Sequence, residues 1–318
     1  MHSKEKILVT GAAGFIGSAL LRKLDSTEFV TYPVARNTST DRDIFVLKNI
    51  DDSTDWTEGL HKCNTVIHLA ARVHGVQEKA IDPLAEFRRV NVGGTLNLAQ
   101  QAAVAGVKRF IFISSVKVNG ESTTAGHAFT ENDPPSPQDA YGQSKHEAEC
   151  GLRRIAETSN MEVVIIRPPL VYGPGVKANF AALMRAVQLG WPLPLGAVDN
   201  RRSLVSLGNL VDLILVCISH PKAAGQTFMV SDGFDLSTAE LVRGLARVHG
   251  VGVRLVSVPV WILRSGAALL GKSSAIDRLC GNLQVDISKA RNILGWVPPV
   301  SVEQGLSRVV SGEGARPV

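Results

Sequence analysis

Short apolar runs rich in Val and Ile recur along the first half of this chain, separated by stretches whose apolar positions repeat at helical spacing. Lys6–Thr10, Val30–Val34, Asp43–Lys48, Thr65–Leu69, Arg109–Ser114 and Glu162–Arg167 read as strands. Ile16–Leu24, Trp56–His61, Val90–Ala105 and Gln143–Glu157 read as the helices between them. Strands this uniformly apolar must be covered on both faces, and the alternating helices supply the cover. The pattern therefore predicts an α/β fold with a parallel sheet.

After Arg167 the texture changes. Pro168, Pro169, Pro174, Pro192 and Pro194 break the chain into loops and short elements. Further on, Ser237–His249 reads as a helix and Arg254–Val258 as a strand of a smaller lobe. The expected division is residues 1–168 with 203–232 for the sheet domain, and 169–202 with 233–310 for the lobe. No internal repeat or low-complexity tract interrupts this, and the tail from Ser311 reads as frayed.

Composition narrows the function classes. With 318 residues, 45% hydrophobic and 20% charged, the chain has the balance of a soluble globular protein rather than a disordered or fibrous one. The net charge of +5 points to an anionic partner. Yet the basic residues are spread out, with arginine doublets only at Arg88-Arg89, Arg153-Arg154 and Arg201-Arg202, and aromatics are 5%. Nucleic-acid binders concentrate such charge and interleave it with stacking rings, so a small phosphorylated substrate is the better expectation. Cys63, Cys150, Cys217 and Cys280 form no CxxC pair, and the eight histidines show no ligand spacing. No metal site and no disulfide framework are predicted, which suits a reducing, cytoplasmic setting. The first strand leaves no room for a signal peptide. Leu210–Ile218 and Val258–Leu270, the latter interrupted by Arg264, are too short or too charged to span a bilayer. The second could still lie on a partner or a membrane surface.

Chemistry enters with three groupings. Lys6-Ile-Leu-Val-Thr-Gly11-Ala-Ala-Gly14-Phe15-Ile16-Gly17 is a strand, a glycine turn and a helix start. Gly11 permits the turn, Gly14 lets backbone approach a pyrophosphate, and Gly17 lets the helix pack on the strand while its N-terminal amides face the phosphates. An acidic residue about 20 positions on would hold an adenosine ribose. Arg36 stands there instead, and an arginine stacks on adenine and pairs with a 2′-phosphate, so NADP(H) is admitted beside NAD(H). In the second grouping, Tyr141 and Lys145 lie four apart on one helix face. A free tyrosine has a pKa of about 10, and bringing it near 7 takes roughly 4 kcal/mol of phenolate stabilisation. A lysine ammonium and an oxidised nicotinamide together could supply that. The third grouping, Ser114-Ser115, ends the strand before Val116-Lys117-Val118-Asn119-Gly120.

The GxxGxxG spacing, Ser-Ser strand end and YxxxK, in this order, resemble the extended short-chain dehydrogenase/reductase family. That resemblance implies a Rossmann-type doubly wound parallel sheet with a smaller, mostly C-terminal substrate-binding lobe, and a nicotinamide cofactor, NAD(P)(H). It gives Ser115 the hydrogen bond to the reacting sugar oxygen and Tyr141 and Lys145 the proton transfer. The cofactor would be held by Gly11, Gly14, Phe15, Ile16, Gly17, Arg36, Asn49, Ile50, Leu69, Ala70, Ala71, Ser114, Tyr141, Lys145 and Pro168. Asn91 in Asn91-Val-Gly-Gly-Thr95 would fix helix geometry. Arg167-Pro-Pro-Leu-Val-Tyr172-Gly-Pro-Gly175 is similar to a segment of the nucleotide-sugar enzymes in this family. The implied substrate contacts are Lys117, Asn119, Asn179, Leu195 and Arg202, with Arg202 as a bidentate diphosphate clamp.

The family chemistry moves a hydride between nicotinamide and a sugar carbon, usually C4. Val116 and Lys117 stand where a dehydratase carries Asp-Glu, which sets dehydration aside. Segments such as Ser115-Val-Lys-Val-Asn-Gly resemble bacterial UDP-2-acetamido-2,6-dideoxy-hexos-4-ulose reductases of surface-polysaccharide synthesis. With Arg36, that makes a 4-keto reductase the first expectation, a UDP-hexose 4-epimerase the second and a non-catalytic NADP sensor the remote third. The resemblance also implies a homodimer through helices near Val90–Ala105 and Gln143–Glu157.

Overall fold

A computed structural model describes residues 4–36, 44–73, 82–269, 271 and 273–312. Its strands, in chain order, are β1 (Lys6–Thr10), β2 (Val30–Ala35), β3 (Phe45–Val46), β4 (Cys63–His68), β5 (Arg109–Ile113), β6 (Glu162–Arg167), β7 (Leu170–Tyr172), β8 (Arg202–Ser206), β9 (Thr227–Met229) and β10 (Asp235–Leu236). The helices of the first half are α1 (Phe15–Leu24), α2 (Thr57–Leu60), α3 (Pro83–Phe87), α4 (Thr95–Val104) and α5 (Ala140–Glu157). Then come α6 (Ala178–Gln188), α7 (Leu207–Ser219), α8 (Thr238–His249), α9 (Val260–Leu269), α10 (Ser273–Cys280), α11 (Ser288–Leu294) and α12 (Val302–Ser311).

Seven strands form one parallel sheet in the order β3-β2-β1-β4-β5-β6-β9. This is the doubly wound order. The chain reverses direction between β1 and β4, so a crevice opens beyond the carboxyl ends of those strands, where ligands bind in such sheets. On one face Ile7, Val9, Ile67 and Ile111 pack against Leu20 and Leu24 of α1 and Leu210 and Ile214 of α7. On the other face Leu8, Val66, Phe110 and Phe112 pack against Leu98 and Ala102 of α4 and Leu152 of α5. Each such fully buried side chain contributes about 1.5–3 kcal/mol relative to exposure, which is why both faces had to be apolar in sequence.

A smaller sheet, in the order β10-β8-β7, sits with a third core made by Tyr172, Phe180, Leu241, Val242, Leu245 and Leu306. β8 therefore pairs in the lobe, whereas α7 directly after it packs on α1 and β5 of the main sheet. Helix α8 starts sharply because Ser237 and Glu240 form a reciprocal capping box, and it ends at Gly250 in the left-handed region.

Several sequence expectations shift. The strand at Asp43–Lys48 shrinks to Phe45–Val46, with Asp43 outside the described residues. The end of Val258–Leu270 and residues 313–318 of the tail also lie outside them. Arg254–Val258 is no strand: Leu255 bridges Leu193 alone, because no neighbouring strand extends the ladder. Helix α5 begins at Ala140, three residues before the expected start, since the Asp139 carboxylate accepts the Gly142 amide hydrogen at 2.7 Å. The helix expected at Val90–Ala105 divides into a π-helical segment, Arg88–Gly94, and α4. Among the described residues no helix is long and apolar enough to cross a membrane.

Candidate active site

The crevice begins at the loop after β1. Gly11 adopts φ +69°, and a Cβ there would meet the Ala70 amide nitrogen at 2.8 Å. A Cβ on Gly17 would lie 2.9 Å from the Ala12 Cα and strike the Gly11 carbonyl oxygen. Helix α1 starts from Gly14 with no side-chain cap and no acidic residue in its first turn. Its leading amides, through Phe15 and Ile16, thus remain available to an anion, and the side-chain-free cradle fits the pyrophosphate of a dinucleotide. The opposite wall is Leu69, Ala70 and Ala71, tied to β1 by Leu69 N to Thr10 O (3.3 Å) and Ala70 N to Thr10 Oγ1 (3.2 Å). Ile50 is buried against Gly94, while Arg36 and Asn49 are exposed at the far edge beyond β2 and β3. Pro168 closes the other end, its carbonyl accepting the Val116 amide hydrogen at 3.0 Å.

Below this wall lies His68, stacked on Phe112 and bonded by Thr10 (2.7 Å) and Thr95 (2.9 Å). Burial, with the Lys145 charge nearby, pushes its pKa down to about 3, so the ring is neutral. Asn91 sits in the π-helical segment and is 1% exposed. It accepts from Arg72 N (2.8 Å) and donates to Arg72 O (3.0 Å) and Ser144 Oγ (3.0 Å). Ser144 in turn donates to the Tyr141 carbonyl at 2.8 Å. The widened π turn lets Asn91 reach both the cofactor wall and the first turn of α5, a use of π turns common at functional sites.

Tyr141 and Lys145 stand on α5, with Lys145 Nζ 6.0 Å from the Tyr141 ring centre. Lys145 is buried, donates to Ile113 O at 2.8 Å and lies 4.4 Å over the Phe112 ring. Burial lowers its pKa to about 7, against the raising effect of Glu149. Burial and the Asp139 charge raise the Tyr141 phenol above its ordinary value. The protein alone thus holds Tyr141 as a neutral phenol, and the downward pull expected from sequence needs a positive charge beyond Lys145. Ser115 caps the 3-10 turn Val116–Val118, its Oγ accepting the Lys117 amide hydrogen at 3.2 Å. That turn packs directly on α5, with the Lys117 carbonyl against Gly142, next to Tyr141.

Three neighbouring side chains have partners within the protein. Ser114 Oγ donates to Glu149 Oε1 at 2.6 Å. Asn119 is 2% exposed, accepting from Arg167 (3.0 Å) and donating to Thr130 O (3.0 Å). Lys117 bridges Glu121 (2.8 Å) and Asp139. Glu149 was not singled out in sequence, although it lies four residues past Lys145, as Lys145 does past Tyr141. Burial raises its pKa, but hydrogen bonds and charge from Arg167, with Ser114 and Arg153, outweigh this and hold the carboxyl below its usual range.

At the substrate end, Asn179 is exposed at the start of α6 and Leu195 is buried in the lobe core. Arg202 Nη1 donates to Gly281 O at 3.0 Å. Burial and the positive charge of Arg278 lower the Arg202 pKa. Arg278, which sequence reasoning missed, thus lies near enough to Arg202 for their charges to act on one another. Arg278 also lines a cavity of about 720 Å³ with Arg264, His127, Gln138 and Glu121, between the loop after Ser115 and helices α9 and α10. Among the described residues no group of three or more His, Cys, Asp or Glu is placed to hold a metal ion.

These features make a candidate dinucleotide crevice with Tyr141, Lys145 and Ser115 near its inner end. The chain belongs to the NAD dependent epimerase/dehydratase family, whose model matches residues 7–231. It is 49% identical over 308 residues to a UDP-glucose 4-epimerase of Vibrio cholerae, covering 96% of this chain and 94% of that protein. Among solved structures it is similar to the UDP-glucose 4-epimerase of Thermotoga maritima with UDP-glucose (TM-score 0.78, 26% identity, 97% and 98% of the two chains). It is likewise similar to MoeE5 in complex with UDP-glucuronic acid and NAD (TM-score 0.78, 25% identity, 97% and 98% of the two chains). The protein is an NAD-dependent enzyme of the extended short-chain dehydrogenase/reductase type.

Proposed function

We propose that this protein is a UDP-sugar 4-epimerase with a retained nicotinamide dinucleotide. The observation that carries the reading is the 49% identity, across nearly the whole chain, to a UDP-glucose 4-epimerase. The Arg202–Arg278 pair supports a diphosphate, and the adjoining cavity leaves room for the sugar.

When bound, the dinucleotide supplies a two-electron acceptor whose gain is returned to the same carbon. The chain's own residues move the proton. Tyr141 would take the C4 hydroxyl proton as C4 is oxidised, and would give it back to the oxygen of the 4-keto sugar when C4 is reduced. Lys145, protonated, stabilises the phenolate in between. Ser115 holds the C4 oxygen through both halves. Glycines 11, 14 and 17 hold the pyrophosphate of the cofactor, and Arg202 and Arg278 that of the substrate.

A 4-keto reductase, the first expectation from sequence, now ranks second. The resemblance to UDP-2-acetamido-2,6-dideoxy-hexos-4-ulose reductases has no counterpart among these relatives. Arg36 still favours it, being exposed beside the adenosine end, where it suits an exchangeable NADP(H). The two readings part in one experiment. Purified protein given UDP-glucose or UDP-N-acetylglucosamine with no reductant should form the C4 epimer. Stoichiometric consumption of NADPH or NADH on a UDP-4-keto-6-deoxy sugar, with no epimerisation, would replace the epimerase by the reductase.

A further inference from the structure

Tyr141, Lys145 and Glu149 follow one another at every fourth residue of α5, so the reactive face of the helix continues inward to a carboxylate whose side chain is wholly buried. Glu149 takes Arg167 in a two-point grip, Nε to Oε1 at 2.9 Å and Nη2 to Oε2 at 2.6 Å. It also accepts the Ser114 hydroxyl at 2.6 Å and Arg153 Nη2 at 2.9 Å. The remaining Arg167 nitrogen, Nη1, holds Asn119. Ser114 directly precedes Ser115, Arg167 directly precedes Pro168, and Asn119 ends the turn that Ser115 caps.

We propose that Glu149, Arg167, Ser114 and Asn119 form a positioning core, in which one buried carboxylate sets the distance between Ser115 and Tyr141 by tying α5 to the ends of β5 and β6. Ser115 and Tyr141 are proposed to reach the same sugar oxygen, yet they come from different elements; Glu149 and its partners tie these together beside the Lys145–Ile113 bond and the Lys117–Asp139 ion pair. Stability alone does not account for the cluster. A buried ion pair often contributes no more than well-packed apolar side chains would, whereas it imposes one geometry. Ser114 and Asn119, expected to touch cofactor and substrate, serve on this account as supports for the residues that do. The same carboxylate favours the charged form of Lys145, one turn away.

The charged groups facing this core are Arg153 and Lys145 from α5, Arg167 from β6 and the neutral His68 from β4. Lys289 of α11, with Glu131 near it, lies farther out. In Glu149→Gln the cations remain while the carboxylate charge is lost, so the Lys145 ammonium loses support. Carbon-13 NMR of labelled lysine, assigned with Lys145→Met, reads this in the protein without substrate. The Lys145 midpoint should fall by about one pH unit in Glu149→Gln and return close to the parent value in Glu149→Asp, which keeps the charge. Turnover of UDP-glucose should fall roughly 10–100-fold in Glu149→Gln, with KM and the NAD dissociation constant changed less than about 3-fold. Glu149→Asp should stay slow, because its shorter reach does not restore the geometry.

An unchanged Lys145 midpoint and unchanged kcat, with only a lower Tm, would overturn the proposal and leave a structural staple. Should Glu149→Gln fail to fold, Ser114→Ala decides: kcat should drop roughly 3–10-fold at constant NAD affinity. A matching loss of NAD affinity instead would make Ser114 a cofactor contact and sink the assignment. The NMR midpoint and NAD binding need no sugar, so a wild-type protein inactive on UDP-glucose counts against the proposed function, on which the turnover arm alone rests.

Discussion

The carbonyl oxygen of Lys117 occupies the space beside Gly142 where a side chain would begin: a Cβ there would be 2.7 Å from it and 3.2 Å from Asp139 Oδ1. Glycine within a helix is otherwise unfavourable by about 1 kcal/mol relative to alanine. Its presence next to Tyr141 is explained by the Ser115–Lys117 turn pressing on α5. Gly142→Ala should force turn and helix apart by a few tenths of an ångström or more. We expect kcat to fall roughly 10–100-fold from the misplaced Ser115, since small displacements of reacting groups cost that much. Stopped assays with UDP-glucose, alongside NAD binding as a folding control, check it. An alanine variant that is more stable and equally active would show that helix propensity, not the close approach, governs this position.

Tyr141→Phe removes the hydroxyl that the proposed reaction uses to carry the proton. The ring keeps its edge-on contact with Phe87, 6.1 Å between centres, so the fold and both ligand sites should persist. Turnover should drop roughly 10²–10⁴-fold while UDP and NAD affinities change little. Single-turnover spectra of the nicotinamide after mixing with UDP-glucose would separate lost chemistry from lost binding.

How far these sites could be read in advance depended on whether their signals were local. The parallel sheet was legible because its central strands β1, β4, β5 and β6 are buried on both faces and are therefore largely apolar. The glycine loop, Tyr141 with Lys145, and Ser115 each sit within a few residues of chain, where spacing alone carries meaning. Glu149 was missed because its partners Ser114 and Arg167 are 35 and 18 residues away, and only the sheet order brings them together. Arg278 was missed because its neighbour Arg202 comes from another element of the lobe, met across Gly281. Arg254–Val258 failed in the opposite sense: its Leu and Val content suits a strand, but a strand also needs a neighbour along its length, and Leu193 alone does not provide one.

Lys145 couples function to stability with a sign that can be worked out. Its pKa falls from the ordinary 10.5 to about 7 on folding, first through burial. The unfolded chain therefore binds the proton more tightly, and folding is penalised. The penalty is full below about pH 7, shrinks as pH rises from there, and vanishes above the unfolded value. Lys145→Met, of similar length and apolar, should be inactive yet more stable by a few kcal/mol, because each tenfold loss of proton affinity on folding costs about 1.4 kcal/mol. The gain should appear at pH 6 and shrink steadily toward pH 10, in urea melts of the cofactor-free proteins. A Lys145→Met protein less stable than its parent at pH 6 would mean that the bond to Ile113 outweighs the cost of burying the charge.

Arg202 and Arg278 should show opposite signs in the free and liganded protein. Without ligand, burial first and then the Arg278 charge lower the pKa of the partly buried Arg202, so the two guanidinium groups repel. Removing one charge relieves that repulsion, so Arg278→Ala should raise the Tm of the free protein slightly or leave it unchanged. A diphosphate reverses the balance, because charge-assisted hydrogen bonds to phosphate oxygens are worth about 1.5–3 kcal/mol each. UDP should then bind roughly 10–100-fold more weakly to Arg202→Met or Arg278→Ala. The stabilisation that saturating UDP confers on the parent, which follows the ratio of ligand concentration to dissociation constant, should shrink accordingly. Thermal melts with and without UDP, backed by calorimetric titration, test both signs at once. Loss of stability in the free variants with undiminished UDP affinity would show that the arginines serve the lobe's own packing, and would move the diphosphate site elsewhere.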